Sequence, residues 1–324
     1  GKAASLLMVD SQTGDPYAPV RMSMLKHLAA MGYKNNQNLV IKHWSLGNEE
    51  GMAKRVWHEE KNASYDVIFV NGTVAAKMFR QFAYDSPRYS FVFAAVTDPV
   101  SLGLIRDFKS PPSANFTGIC YPVKIEERLR MILRVMPQAR DMGFIHADMP
   151  QSASYLRWIR QVLTREEFKN IRFHIRQVPF VQSEGGHIRM TQLAKKYVKE
   201  LDPVVDLFLS PNDQMGVQQP FARMVWELSS KPLVGLGRKD VMDGWGAFMS
   251  VFPDLGNMGK QAAAMAARLF KKEPIRNIMP QWPASGLAFD LEKAAKFNLV
   301  IPEELIRRAS GNIIPFPPPH KKGN

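Results

Sequence analysis

The sequence predicts an α/β protein of two lobes, each built on a parallel β-sheet covered by helices. Short apolar segments alternate with amphipathic ones along nearly the whole chain, which is the pattern of repeated β-α-β units. Several apolar segments run directly into small or polar residues, as parallel strands do at their carboxyl ends. One such junction is repeated, because Asp66–Thr73 (DVIFVNGT) has a counterpart in Asp206–Asp213 (DLFLSPND).

Length and composition restrict the function classes. A chain of 324 residues suggests about two domains. Lys and Arg number 43 against 30 Asp and Glu, but the basic residues are scattered. No basic arm, zinc finger or RNA-binding sheet motif is present, so we expect a solvated basic surface and no nucleic-acid partner. The single cysteine, Cys120, excludes an internal disulfide and a thiolate metal cluster.

The amino-terminal end reads as folded structure and not as a signal peptide. No apolar run approaches the ~20 residues of a membrane-spanning helix. Ser5–Val9 already reads as a strand, so a leader would have to precede Gly1. We therefore expect a trimmed mature form.

The first half supplies five strands and three helices. The strand Phe91–Ala95 must stop before Pro99, which cannot donate to a ladder and favours an extended Asp98. The helix Val20–Met31 carries apolar residues at helical spacing and ends at Gly32. The other predicted strands are Leu6–Val9, Asn38–Trp44, Asp66–Val70 and Asn115–Ile119, and the other helices are Asn48–Lys61 and Val74–Phe82.

The second half repeats this alternation. Strands are predicted at Asp141–His146, Ile171–Val178, Val204–Leu209, Pro232–Leu236 and Ala247–Val251. Helices are predicted at Lys124–Val135, Ser154–Thr164, Gly186–Glu200, Val217–Leu228, Asp254–Lys271 and Pro302–Ala309.

Three junctions of the first half carry hydroxyl, amide or carboxylate groups: Ser11-Gln12-Thr13, Asn71-Gly72-Thr73 and Thr97-Asp98. In a parallel sheet all three lie along one edge, where ligands bind in open α/β folds. Each of them alone is equally well explained as a turn or a helix cap. Their coincidence favours a ligand site.

Several of these segments resemble a known family, the extracytoplasmic solute-binding proteins of ABC transporters related to tryptophan- and tyrosine-binding lipoproteins. The resemblance covers nearly the whole chain. It rests on Asp66–Ala76 (DVIFVNGTVAA), Phe91–Ile105 (FVFAAVTDPVSLGLI), Asn115–Ile119, Asp206–Met215, Gly246–Ala263 and Phe289–Ala309 (FDLEKAAKFNLVIPEELIRRA).

The resemblance implies the type I periplasmic-binding-protein fold, with two Rossmann-like lobes and a hinge of three crossings. The crossings would fall near residues 118–121, 248–252 and 279–283. The N-terminal lobe would then comprise 1–118, completed by 251–279. The C-terminal lobe would comprise 119–250, completed by 280–312, with 313–324 as a tail.

The resemblance also implies the ligand-facing loops. In the first lobe they carry Ser11, Gln12, Asn71, Gly72, Thr73, Thr97 and Asp98, and in the second Tyr121, Ser152, Ser154, Asn212 and Asp213. Hydroxyls, amides and helix N-termini suit a small polar ligand with a carboxylate, either amino-acid-like or an aromatic acid. The family's specificity does not transfer, because its pattern is not kept in three places: the first loop, Ser11–Arg21, the Cys120-Tyr121 pair, and the Leu236-Gly237 pair that follows the strand at Pro232–Val234.

The family role would be solute capture for an importer, with a membrane permease as partner. We expect a monomer without metal or cofactor, periplasmic or extracytoplasmic, and either free or membrane-anchored through a removed N-terminal segment.

Two other functional classes, an enzyme and a sensor domain, compete with the transport role. An enzyme would need a catalytic constellation, yet the seven histidines show no metal-ligand spacing, and no nucleophile elbow, Walker loop or dinucleotide fingerprint is present. His146 ends a strand, but a satisfied polar residue is the better interpretation of a lone histidine. A ligand-sensing extracytoplasmic domain of a membrane receptor would share the fold, and the sequence leaves that alternative open.

Overall fold

The computed structural model describes residues 2–319. The chain divides into two compact units, Gly1–Pro122 with Pro253–Ala284, and Val123–Phe252 with Ser285–Asn324. Each unit contains one β-sheet, of five strands in the first and seven in the second. The predicted α/β class with parallel sheets is confirmed. No helix among the described residues combines the length and the apolar character needed to cross a membrane.

The first unit has the strand order β2-β1-β3-β4-β5, with every pair parallel. Its strands are β1 (Ala4–Asp10), β2 (Leu39–Ser45), β3 (Val67–Asn71), β4 (Phe91–Val96) and β5 (Phe116–Cys120). Its helices are α1 (Tyr17–Ala30), α2 (Glu50–Glu60), α3 (Thr73–Ala83) and α9 (Leu255–Phe270), with a 3-10 turn at Ile275–Asn277.

Helices cover both faces of this sheet. Every residue of β3 and β4 is buried, as expected for central strands of a parallel sheet. Separate apolar clusters fill the two faces: one includes α1 and α9, the other α2 and α3. Gly259 lets α9 approach α1 closely, because a Cβ there would lie 2.5 Å from the carbonyl oxygen of Val20.

The second unit has the strand order β12-β11-β10-β9-β8-β6-β7. Its strands are β6 (Asp141–Ala147), β7 (Arg172–Val178), β8 (Leu207–Leu209), β9 (Leu233–Gly235), β10 (Met249–Pro253), β11 (Ser285–Asp290) and β12 (Ile313–Ile314). Its helices are α4 (Ile125–Val135), α5 (Pro150–Val162), α6 (Gly186–Leu201), α7 (Gln219–Leu228), α8 (Arg238–Met242), α10 (Leu291–Lys296) and α11 (Glu303–Arg308), with a 3-10 turn at Glu166–Phe168.

Several predictions of local structure are wrong, among them the start of α1, which is Tyr17 instead of Val20. Helix α5 begins at Pro150 instead of Ser154, because proline is well suited to the first helical turn. Strand β8 begins at Leu207 instead of Val204, because the chain is still leaving α6 through a turn in which Val204 N bonds Leu201 O. The predicted tail is not all irregular, since β12 pairs with Phe289 and Asp290 of β11. Residues 320–324 of that tail lie outside the described part.

Candidate functional site

The three polar junctions of the first unit meet at the carboxyl edge of its sheet. Strands β1, β3 and β4 are adjacent, with Asp10 opposite Asn71 and Asn71 opposite Ala94. Backbone hydrogen bonds continue past the strand ends, from Ser11 N to Asn71 O and from Gly72 N to Ala94 O, both 2.8 Å long. The residues Ser11, Gly72 and Thr97 therefore lie on one edge.

Ser11 and Gly72 contribute to the scaffold of this edge. The Ser11 hydroxyl accepts a 2.9 Å hydrogen bond from Ala75 N, and so caps the first turn of α3 from a neighbouring strand. Gly72 has a positive φ of 102°. A Cβ at Gly72 would lie 2.4 Å from Cε1 of Tyr17 and 2.5 Å from the Ser11 hydroxyl, so no larger residue fits.

Asn71 donates a hydrogen bond to the buried carboxylate of Asp10, a residue that the sequence analysis missed. Its amide nitrogen donates to Asp10 Oδ1 and to Tyr17 O, each at 2.9 Å. Asp10 Oδ2 also accepts from Arg21 Nε at 2.8 Å and contacts His43 Nε2 at 3.0 Å. Burial, and secondarily Asp10, raise the pKa of Tyr17. Asn71 Oδ1 is buried and has no hydrogen-bond partner within residues 2–319.

Thr73 and Thr97 lie next to each other at the ends of β3 and β4. Both are half-buried, and Thr97 N lies 3.4 Å from the Thr73 hydroxyl, to which it donates. Their hydroxyls are thus at the carboxyl edge of the sheet. The adjacent Asp98 accepts from Ser101 N at 3.0 Å and from the Ser101 hydroxyl at 2.7 Å, so its carboxylate caps the following turn.

Two further predicted site residues, Gln12 and Tyr121, make local contacts. Gln12 is half-buried, and its side-chain oxygen accepts from the backbone nitrogen of Thr13 at 2.8 Å. Tyr121 was assigned to the second lobe, but this is wrong for the compact units, because the first unit extends to Pro122. Tyr121 N donates to Val96 O at 2.9 Å, which places the residue beside the end of β4.

In the second unit, Asp213 links three elements at the carboxyl edge of the sheet. Its Oδ2 accepts from Ala147 N at 2.7 Å and from the Ser152 hydroxyl at 3.0 Å. Its Oδ1 accepts from Met215 N at 3.0 Å and Gly216 N at 2.9 Å. Burial raises the pKa of Asp213 in spite of these four hydrogen bonds. The carboxylate is therefore engaged within the fold.

Ser152, Ser154 and Asn212 are all buried. Asn212 directly precedes Asp213 in the chain, whereas Ser152 reaches its carboxylate from α5. The two serines belong to the first turns of α5 and not to a loop, which corrects their predicted setting. Asn212 Nδ2 is buried without a hydrogen-bond partner within the described residues.

The sequence analysis also missed Arg128 and Asp240, two buried charged residues of the second unit. Arg128 occupies a buried position of α4 among Ile125, Leu129 and Ile132. An arginine at an apolar position of an amphipathic helix is the sequence signal that indicates such a buried charge. Burial raises the pKa of Asp240 to about 6.

His146 and Cys120 have local explanations. His146 Nδ1 lies 2.8 Å from Ala147 O, and its ring stacks on Phe144 at 5.6 Å between centroids. The buried Cys120 thiol lies 3.7 Å from Pro122 O. Over residues 2–319, no group of three or more His, Cys, Asp or Glu side chains could hold a metal ion.

Two α/β units with parallel sheets, and polar groups at their carboxyl edges, define the type I periplasmic-binding-protein class. The model of the family described as ABC transporter substrate binding protein matches residues 13–313. The chain belongs to this family, which consists of solute-binding proteins and not of enzymes.

Known proteins agree with this assignment. A tyrosine-binding protein of Clostridioides difficile is 20% identical over 259 residues, which are 80% of this chain and 70% of that protein. The structure of an ABC domain in complex with L-Trp from Streptococcus pneumoniae has a TM-score of 0.71 at 18% identity, covering 97% of this chain and 100% of that one. A ligand-free, open substrate-binding protein with adhesive properties from Clostridium difficile has a TM-score of 0.77 at 14% identity, covering 96% and 98%.

Proposed function

We propose that this chain is the solute-binding component of an ABC importer, and that it holds one small polar organic solute, either amino-acid-like or an aromatic acid. Family membership supports the transport role. The relatives described as binding tyrosine and L-Trp support an aromatic solute with a carboxylate. The protein would act outside the cytoplasm as a monomer, either free or membrane-anchored, and deliver the solute to a membrane permease.

The observation that carries this proposal is a pair of buried amide atoms at the two sheet edges. Asn71 Oδ1 in the first unit and Asn212 Nδ2 in the second have no partner among the described residues. A buried polar atom left unpaired costs about 1–3 kcal/mol, so a solute that supplies the missing partner is favoured at these positions. The neighbouring threonine hydroxyls, Thr73 and Thr97, add groups that can donate and accept.

A binding screen tests the proposal. Thermal melts would be recorded with L-tyrosine, L-tryptophan, 4-hydroxyphenylacetate, benzoate, nucleosides and short peptides, followed by calorimetry on any stabilising compound. We expect one chemical class to raise the melting temperature and to bind one-to-one, since a ligand at 100 times its Kd stabilises by about 2.7 kcal/mol. Mass spectrometry should recover the compound unchanged. The absence of binding across the panel, or conversion of a bound compound, would refute the proposal.

A further inference from the structure

The side chain of Arg128 is buried at a position where the helix otherwise places apolar residues. Arg128 is the fourth residue of α4, and only 3% of its surface is exposed. Removing a guanidinium from water is costly unless its charge and its donors are matched inside the protein. The contacts of Arg128 therefore indicate what the site is built to hold.

Two of the three nitrogens have acceptors. Nη1 donates to the hydroxyl of Tyr155 and Nη2 to the carbonyl oxygen of Gly235, each at 2.5 Å. Nε is buried and has no hydrogen-bond partner within residues 2–319. The guanidinium carbon also lies 6.0 Å from the centroid of the Tyr155 ring. Both acceptors are neutral, so these contacts do not cancel the positive charge.

No carboxylate of the described chain forms an ion pair with Arg128. Asp240 is near enough for the positive charge of Arg128 to lower its pKa, but burial is the stronger influence on that carboxyl. Its Oδ2 accepts from Leu236 N at 2.6 Å and from Gly237 N at 3.2 Å, so it is engaged with its own loop. One nitrogen without an acceptor, Nε, and much of the charge of Arg128 are left for another group.

The partners of Arg128 place it at the carboxyl edge of the second sheet. Gly235 is the last residue of β9, and Tyr155 belongs to α5, which follows the end of β6. The same edge carries Asn212, whose amide nitrogen is also buried and unpartnered in the described part. Carboxyl edges of parallel sheets are where ligands bind in this type of fold.

We infer that Arg128 is the receptor for the carboxylate of the bound solute, with Nε as the donor that a carboxylate oxygen fills. The inference rests on the proposed function and specifies how its site selects an acid. A charge-assisted hydrogen bond would satisfy the missing partner and supply the negative charge that the fold lacks at this point. Tyr155 and Gly235 fix the orientation of the guanidinium, which limits the rotamer entropy lost on binding.

The test compares acids with their amides. The probes are L-tyrosine with L-tyrosinamide, and 4-hydroxyphenylacetate with 4-hydroxyphenylacetamide, titrated into wild type, Arg128→Gln and Arg128→Lys. We expect the wild type to prefer the acid by about ten- to a hundredfold, as expected for a hydrogen bond to a charged group. Arg128→Gln should abolish most of this preference by weakening the binding of the acid far more than that of the amide, and Arg128→Lys should retain part of it. Arg134→Gln is the matched control, because Arg134 lies on the same helix and pairs at the surface with Glu304.

A measurement on the wild type covers the case in which the variants fail to fold. In protein labelled with ¹⁵N-arginine, an Nε–H resonance should shift strongly when the acid is added and less with the amide, whose carbonyl oxygen is a neutral acceptor. An acid preference that survives in Arg128→Gln, or an acid that binds without moving any Nε–H resonance, would overturn the inference. A solute of another chemical class that binds without a carboxylate would overturn this inference alone. If no solute binds at all, the proposed function fails with it.

Discussion

The Ser152 hydroxyl donates a 3.0 Å hydrogen bond to Oδ2 of Asp213, and this contact joins the first turn of α5 to the loop after β8. Together with the bond from Ala147 N, it makes one buried carboxylate the connection between the ends of β6 and β8. An aspartate with four hydrogen bonds from its own fold has little acceptor capacity left for a solute. Asp213 therefore supports the site without being a strong candidate for direct contact.

Removal of Asp213 should thus reduce stability. Asp213→Ala leaves three buried backbone N–H groups without an acceptor, and we expect the free energy of unfolding to fall by about 2–3 kcal/mol or more. Ser152→Ala removes one bond and should cost about 1 kcal/mol. Denaturant melts of the ligand-free protein measure both. An Asp213→Ala variant that melts like the wild type would show that these hydrogen bonds contribute nothing.

Gly72 should not tolerate a side chain. Gly72→Ala would place a methyl group against Tyr17 and the Ser11 hydroxyl, at a φ of 102° that L residues rarely adopt. We expect a loss of stability of about 2 kcal/mol or more, which combines backbone strain with overpacking. Gly32→Ala is the matched control, since φ is 95° there and no atom lies within 4 Å of the added Cβ. Equal melting temperatures for the two variants would contradict the steric argument.

Substitutions of Thr73, Thr97 and Asp98 should distinguish residues that contact the ligand from residues that stabilise the fold. We expect Thr73→Ala and Thr97→Ala to weaken binding of the solute found in the screen by about tenfold each. Thr97→Ala should leave the melting temperature of the empty protein nearly unchanged, whereas Thr73→Ala also removes the 3.4 Å acceptor of Thr97 N and should lower it slightly. Asp98→Ala should instead lower that melting temperature, because it removes the acceptor of Ser101 N and should cost about 1 kcal/mol. Calorimetry and melting curves on the three variants measure both effects. Threonine variants that melt early and bind normally would place the ligand elsewhere.

The strand ends could be predicted because their causes are local. Pro99 cannot continue a ladder, and β4 accordingly stops at Val96, three residues before it. The continuous apolar sequences of β3 and β4 predict central strands of a parallel sheet, and every residue of both strands is buried. Because parallel strands end at the same edge of their sheet, the three polar junctions could be assigned to one edge before their geometry was known.

The partners of the buried charges could not be predicted, because they come from distant parts of the chain. Asp10 is paired with Arg21 and with His43, 33 residues away, and no local pattern selects these two among many basic residues. Arg128 contacts Gly235 across 107 residues. Such contacts depend on how helices cross the sheet, and the periodicity of a single segment does not contain that information.

Asp240 should make the stability of the ligand-free protein depend on pH. Burial raises the pKa of this carboxyl in the folded protein to about 6, from an ordinary value of 3.8. Between those values the folded state binds more protons than the unfolded state, so this group lowers stability as the pH rises through the window.

The comparison of wild type with Asp240→Asn isolates this effect. The asparagine keeps an oxygen that can accept from Leu236 N and Gly237 N, but it has no proton to lose. From pH 7.5 to 4.5, the free energy of unfolding of the wild type should rise by about 2 kcal/mol relative to the variant. Denaturant melts at several pH values measure it, and Asp243→Asn, at the exposed end of α8, controls for the loss of one negative charge. A difference between wild type and Asp240→Asn that stays constant with pH would show that Asp240 does not titrate in this window.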